Sequence, residues 1–159
     1  MTRLVLACCI AAFGLGACAT PDSAARLRDS EPAGLPPIDR ERLFLLADDF
    51  YSRLESRRFN SIATFQDPGL HEFFRSRDTY QDYYAELAHE LENGNFEASR
   101  PTRVSIEASY RESAMRVWLV VRFVGENGLP LRWWETELVR TDLWEIDASG
   151  RWWIVPGKV

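Results

Sequence analysis

The sequence predicts an α+β fold, in which three N-terminal helices pack on one face of a curved antiparallel sheet of about four strands. Three observations predict it. Between Leu43 and Leu91 apolar residues recur at three- and four-residue steps, the period of a helix with one buried face. From Val104 onward the period falls to two, as in a strand. Asn93-Gly94, Gly125-Glu126-Asn127-Gly128 and Asp147-Ala148-Ser149-Gly150 punctuate these segments at the spacing of helices followed by a meander.

In chain order, the first segment is a leader. Arg3 precedes an uncharged run from Leu4 to Ala17. That run is shorter than the roughly 20 apolar residues of a membrane-spanning helix and has the form of a signal-peptide core. It ends in Leu15-Gly16-Ala17-Cys18. Small residues before a cysteine suit the narrow pocket of a signal peptidase, and the thiolate is the group that a lipid-transfer enzyme alkylates. The stretch resembles the lipobox of bacterial lipoproteins. The resemblance implies removal of residues 1–17, a diacylglyceryl group on Cys18 and acylation of the new amine. Ala17 also fits an ordinary cleaved signal, which is the alternative. Several acyl chains, at about 0.8 kcal/mol per buried methylene, make a stable membrane anchor. Ala19 in place of an aspartate implies, on the same resemblance, the outer membrane of the bacterial envelope, facing the periplasm.

Residues 18–37 are rich in proline, glycine, serine and charge and show no apolar period, so they predict a lipid-anchored, flexible tether. Residues 38–159 form one domain, since the chain is too short for two. The only cysteines are Cys8, Cys9 and Cys18. The mature domain therefore has no thiol for a disulfide, for zinc or for nucleophilic attack. A net charge of −5 without a basic run leaves no footprint for nucleic acid. Glycine-rich phosphate loops, metal-ligand spacings and nucleophile elbows do not occur, so no metal and no cofactor are expected.

The first helix is expected from an Asp39 cap to about Arg58, with Leu43, Leu46, Phe50 and Leu54 on its apolar stripe and Ala47 and Tyr51 widening it. A short second helix should fill Asn60 to Phe65, before Asp67-Pro68-Gly69 breaks the chain. Asp78 and Gln81 have capping-box spacing for a third helix, whose stripe is Tyr80, Tyr84, Leu87 and Leu91 and whose end is Asn93-Gly94.

In the sheet, Val104, Ile106, Ala108 and Tyr110 alternate with polar residues, predicting a half-buried strand. Met115 to Val124 is apolar at nearly every position, predicting a central strand covered on both faces. Leu131 to Asp147 should be a long third strand that bends through a bulge near Arg140–Asp142, and Arg151 to Val155 a short fourth. A three-residue loop with a left-handed Gly150 would pair Ile146 with Trp152 and Trp144 with Ile154 on the helix face, leaving Trp153 beside Glu145 on the other.

The helix order and the closing pattern Trp144-x-Ile146, Asp147-x-x-Gly150-Arg151-Trp152-x-Ile154 resemble the nuclear transport factor 2-like (NTF2-like) superfamily over roughly Asp39 to Pro156. The resemblance implies a cone between helices and sheet, where small-molecule sites lie, and dimerisation through the outer sheet face. Parity along the third strand sends Trp134, Arg140 and Asp142 into that cone, where Tyr51 and Tyr84 would join them as pocket residues. The alternative for Arg140 and Asp142 is a structural ion pair between the two side chains. His71 and Asp142 are the candidate catalytic bases, and His89 reads as surface. Arg116, Trp118, Val120, Trp133 and Trp153 form the candidate interface on the opposite face. Three functions stay open. One is a non-catalytic envelope lipoprotein that binds a small apolar ligand or a protein partner, a homodimer included. The others are an isomerase- or cyclase-like enzyme and a structural subunit of an envelope assembly.

Overall fold

The computed structural model describes residues 40–157. The leader, Cys18, the tether and the Asp39 cap lie outside the described residues. Helix α1, Arg40–Leu54, buries Leu43, Ala47, Phe50, Tyr51 and Leu54 along one stripe. It stops short of Arg58 because Ser56 adopts a left-handed φ of 62° and gives its N–H to the Pro101 carbonyl at 2.7 Å. Helix α2, Ile62–Phe65, is capped by the Ser61 hydroxyl. Asp67-Pro68-Gly69 does not break the chain but begins a further turn, α3, Pro68–His71. Asp67 accepts the Gly69 N–H at 2.9 Å, and Pro68 stands at the first helical position, where no N–H is needed. The described residues therefore carry four helices rather than three.

Helix α4, Arg77–Asn93, starts on a different capping box from the expected one. Ser76 accepts the Thr79 N–H at 3.2 Å while Thr79 Oγ1 accepts the Ser76 N–H at 3.1 Å. Asp78 is left in the first turn, where its charge favours the helix dipole. At the other end Gly94 has an ordinary φ of −74°, and Asn95 takes the left-handed turn at 58°.

The strands are β1 Arg103–Arg111, β2 Arg116–Glu126, β3 Glu135–Ile146 and β4 Trp152–Val155, antiparallel in the order β1-β2-β3-β4. Register from Arg116↔Glu145 to Glu126↔Glu135 is unbroken, so β3 carries no bulge against β2. The bulge lies in β1, between Ile106 and Ala108. It splits the β1 alternation. Val104 and Ile106 stand opposite Phe123 and Val121, whereas Ala108 and Tyr110 stand opposite Val120 and Trp118 on the other face. Strand β2 is fully buried on one face, through Val117, Leu119, Val121 and Phe123, whereas on the other Trp118, Val120 and Arg122 are half-buried and only Val124 is buried. Strand β3 begins at Glu135, so Leu131 to Trp134 belong to a loop and not to the strand.

The β3–β4 hairpin has the expected register, with Trp144↔Ile154, Glu145↔Trp153 and Ile146↔Trp152 and with Gly150 at φ 81°. Helices α1 and α4 contribute Phe50, Tyr51, Tyr83 and Leu87 to one core with the inner row Val117, Leu119, Val121, Trp144, Trp152 and Ile154. This is a helix layer on one sheet face, an α+β architecture.

Candidate functional site

Alternation along β3 turns Thr136, Leu138, Arg140, Asp142 and Trp144 toward the helices, and register sets Asp142 opposite Leu119 and Arg140 opposite Val121. Both charges are thereby carried into the core, Asp142 3% and Arg140 9% exposed. Each finds partners there. Asp142 Oδ2 accepts the Tyr51 hydroxyl at 2.8 Å and the Tyr83 hydroxyl at 2.9 Å, and Oδ1 accepts Arg140 Nε at 2.8 Å. Trp144 Nε1 donates to the Tyr51 oxygen at 3.2 Å. The remaining Arg140 nitrogens reach Glu90 at 2.6 Å and Glu86 at 3.3 Å, and its guanidinium lies 4.9 Å from the centre of the Tyr83 ring.

Burial pushes the Tyr51 and Tyr83 hydroxyls well above their ordinary value, and the Asp142 charge adds to the shift. Both stay protonated donors. Burial opposes the Arg140 charge, but Asp142, Glu90 and Glu86 outweigh it and its pKa is raised. Burial also pushes the Glu90 carboxyl up, against the pull of Arg140. A general base needs a lone pair aimed at substrate. Asp142 instead receives three donors, and only 1% of its side chain is exposed. The cluster has the saturation of a structural polar network.

The other expected pocket and catalytic residues are not brought to this cluster. Tyr84 gives its hydroxyl to the Ser61 carbonyl at 3.2 Å and packs on Phe59 and Phe65. Trp134 is 53% exposed in the β2–β3 loop, because β3 starts only after it. His71 rests its ring 4.3 Å from Tyr80, with Nε2 3.3 Å from the Phe65 carbonyl, and has no orienting carboxylate. Among the described residues no His, Cys, Asp or Glu group is gathered as a metal site.

The outer sheet face carries an apolar row across all four strands. Tyr110, Trp118, Leu143 and Val155 are successive cross-strand neighbours, and the Tyr110 and Trp118 rings stack at 6.4 Å. Val120 extends the row between Ala108 and Thr141. Ion pairs frame it: Arg122 with Glu107 at 3.1 Å and Glu137 at 2.6 Å, and Arg116 with Glu145 at 2.8 Å. Trp153 lies at the row's edge, with Nε1 bonded to Asp147 at 2.8 Å and Arg151 4.1 Å over its ring. Trp133 is absent from this face, being 89% exposed in the same loop as Trp134. A separate open groove of about 530 Å³ runs between α1 and β1, with Phe44, Leu45, Val104 and Ile106 as its apolar lining.

Sequence reasoning missed Glu86, Glu90 and Tyr110. Tyr83, Glu86 and Glu90 share one α4 face by their three- and four-residue spacing, which was a signal for the two glutamates. Tyr110 was concealed by the β1 bulge, which reverses the parity of every residue beyond it. Comparison of the chain with protein-family models, curated proteins and solved structures finds no match.

Proposed function

We propose that this chain is a lipid-anchored protein of the bacterial envelope, tethered to the outer membrane through acyl groups on Cys18. Its NTF2-like domain is non-catalytic and binds a protein partner, a second copy in the first instance, through the outer sheet face. Leu15-Gly16-Ala17-Cys18 supports the anchor. Four helices on one face of a β1-β2-β3-β4 meander support the fold assignment. The observation that carries the non-catalytic reading is the Asp142 carboxylate, which is buried and already accepts three hydrogen bonds from Tyr51, Tyr83 and Arg140. What remains for recognition is surface. The Tyr110–Trp118–Leu143–Val155 row is the kind of contiguous apolar strip that a sheet-to-sheet interface covers. A small apolar ligand has the α1–β1 groove as its alternative seat.

Two measurements test the proposal. Cells fed radioactive palmitate should label the wild-type chain and leave Cys18→Ser unlabelled; label persisting in Cys18→Ser rejects the anchor. Light scattering of the unacylated domain should report a dimer that Trp118→Glu converts to a monomer. An unchanged mass rejects the sheet-face interface.

A further inference from the structure

The β2–β3 connection carries a group of side chains that neither the core nor the outer sheet row absorbs. Leu131 is 87% exposed, Trp133 89%, Trp134 53% and Leu129 36%. Their base is tied to the chain before β1 by hydrogen bonds. Asn127 bridges to Phe96, Gly128 gives its N–H to the Asn95 carbonyl at 2.8 Å, and the Asn127 side chain accepts the Leu129 N–H at 3.0 Å. Arg132 N–H closes a turn on the Leu129 carbonyl at 3.2 Å, with Leu131 in the left-handed region at φ 64°. A leucine in that region is uncommon and costs free energy. The backbone thus accepts strain while it presents two indoles and a leucine to solvent. The indole rings sit 6.3 Å apart at 78°, and the Arg132 guanidinium lies 5.6 Å from the Trp134 ring.

We infer that residues 129–134 are a lipid-contacting finger, which seats Leu131, Trp133 and Trp134 in the interfacial layer of a phospholipid bilayer. The inference rests on the lipid-anchored reading above. Tryptophan, with an apolar body and one N–H donor, favours the headgroup level of a membrane, and an arginine beside it keeps its charge among the headgroups. Arg132 lines a shallow pocket with Glu126 and Glu135 at the foot of the loop, so the finger has no cationic excess and takes a zwitterionic surface.

The chain outside the described residues permits the contact. Glu55 bonds to Val104 N–H and Ser56 to the Pro101 carbonyl, so α1 ends beside the start of β1. Arg40 therefore lies toward the opposite end of the sheet from the finger. Strand β2, of 11 residues, is about 37 Å long. Residues 18–39 reach about 70 Å when fully extended. One membrane can hold the acylated Cys18 and the finger together, and the tether keeps the lipid concentration near the domain high.

The test uses the full acylated protein in phosphatidylcholine vesicles containing lipid brominated either near the headgroup end or near the tail end of its chains. Headgroup-end bromines should quench roughly a third of the tryptophan emission, the share of Trp133 and Trp134 among six tryptophans, and tail-end bromines should quench less. Trp133→Ala combined with Trp134→Ala should remove most of that quenching, and Trp118→Ala should not. Absent quenching, or quenching that survives the double substitution, overturns the finger and leaves the tip to a protein partner. The mass of the N-terminal peptide reports acylation separately. If Cys18 carries no lipid, the same quenching is read on the full chain with brominated vesicles added, so the anchor and the finger fail independently.

Discussion

Replacing Asp142 with alanine deletes the acceptor of three buried hydrogen bonds and leaves the Arg140 charge without its innermost counterion. Removing one partner of a buried ion pair costs about 3–5 kcal/mol. Urea unfolding of Asp142→Ala should show a loss of that order, larger than for Tyr83→Phe, which removes one hydroxyl and should cost about 1–3 kcal/mol. Both Tyr51 and Tyr83 are held above the unfolded tyrosine value near 10, so the folded state binds their protons more tightly than the unfolded state. Stability from these groups is complete below about pH 10 and is lost as pH rises through the folded values. The thermal midpoint should fall above pH 10, and Tyr51→Phe with Tyr83→Phe should flatten that fall. An equal slope in the double variant would refute the assignment.

At the scale of elements, two glycines act for different reasons. A Cβ at Gly125 would lie 2.5 Å from Phe96 Cδ1 and 2.8 Å from the Arg100 carbonyl, so the end of β2 admits no side chain against residues 96–100. Gly150 has open space but a φ of 81°. Gly125→Ala should cost about 1–3 kcal/mol through overpacking, and Gly150→Ala about 1 kcal/mol through backbone strain alone. Denaturant midpoints of the two variants check the order. Asp147 organises the same hairpin. Its carboxylate accepts from the Ser149 hydroxyl, Trp153 Nε1 and the Arg151 and Ser149 amides, which hold its pKa below the ordinary range. The hairpin's share of stability is therefore present above about pH 4 and lost as pH falls through the depressed value. Asp147→Asn should lower the thermal midpoint by a few degrees at pH 7 and by less at pH 3.

Across the whole molecule, the helices occupy one sheet face and leave the framed apolar row on the other. Each ion pair of the frame is already satisfied within the chain, so the proposed association through the row would be apolar in origin. The dimer mass should then persist when salt is raised to about 1 M, where the Debye length is near 3 Å and exposed charges are screened. Dissociation at high salt would place the driving force in the charges. The finger at 129–134 stands apart from this row, which separates two surfaces that the sequence pattern had merged through Trp133.

Local patterns made the helix stripes, the order of elements and the β3–β4 register legible, because each depends on residues close in sequence. Leu43 to Leu54 marks one helix face, and Asp147 to Gly150 defines its own turn. Arg140 and Asp142 were readable as an inward pair from parity alone. Tyr51 was expected beside them, but the rest of what surrounds them was not, because Tyr83, Glu86 and Glu90 come from a helix roughly 50 to 60 residues away in the chain. The bulge at Glu107 was equally hidden, since it is a relation between two strands and has no residue signature of its own. The tryptophan-rich stretch from Leu131 to Trp153 shows the division most clearly. Sequence by itself determined that Trp144 and Trp152 face inward and Trp153 outward, through a turn that sets register. Only the tertiary structure decided that Trp133 and Trp134 stand on a loop, because the Asn127–Phe96 bridge and the Gly128–Asn95 bond lie at the foot of the loop and pairing with β2 resumes only at Glu135.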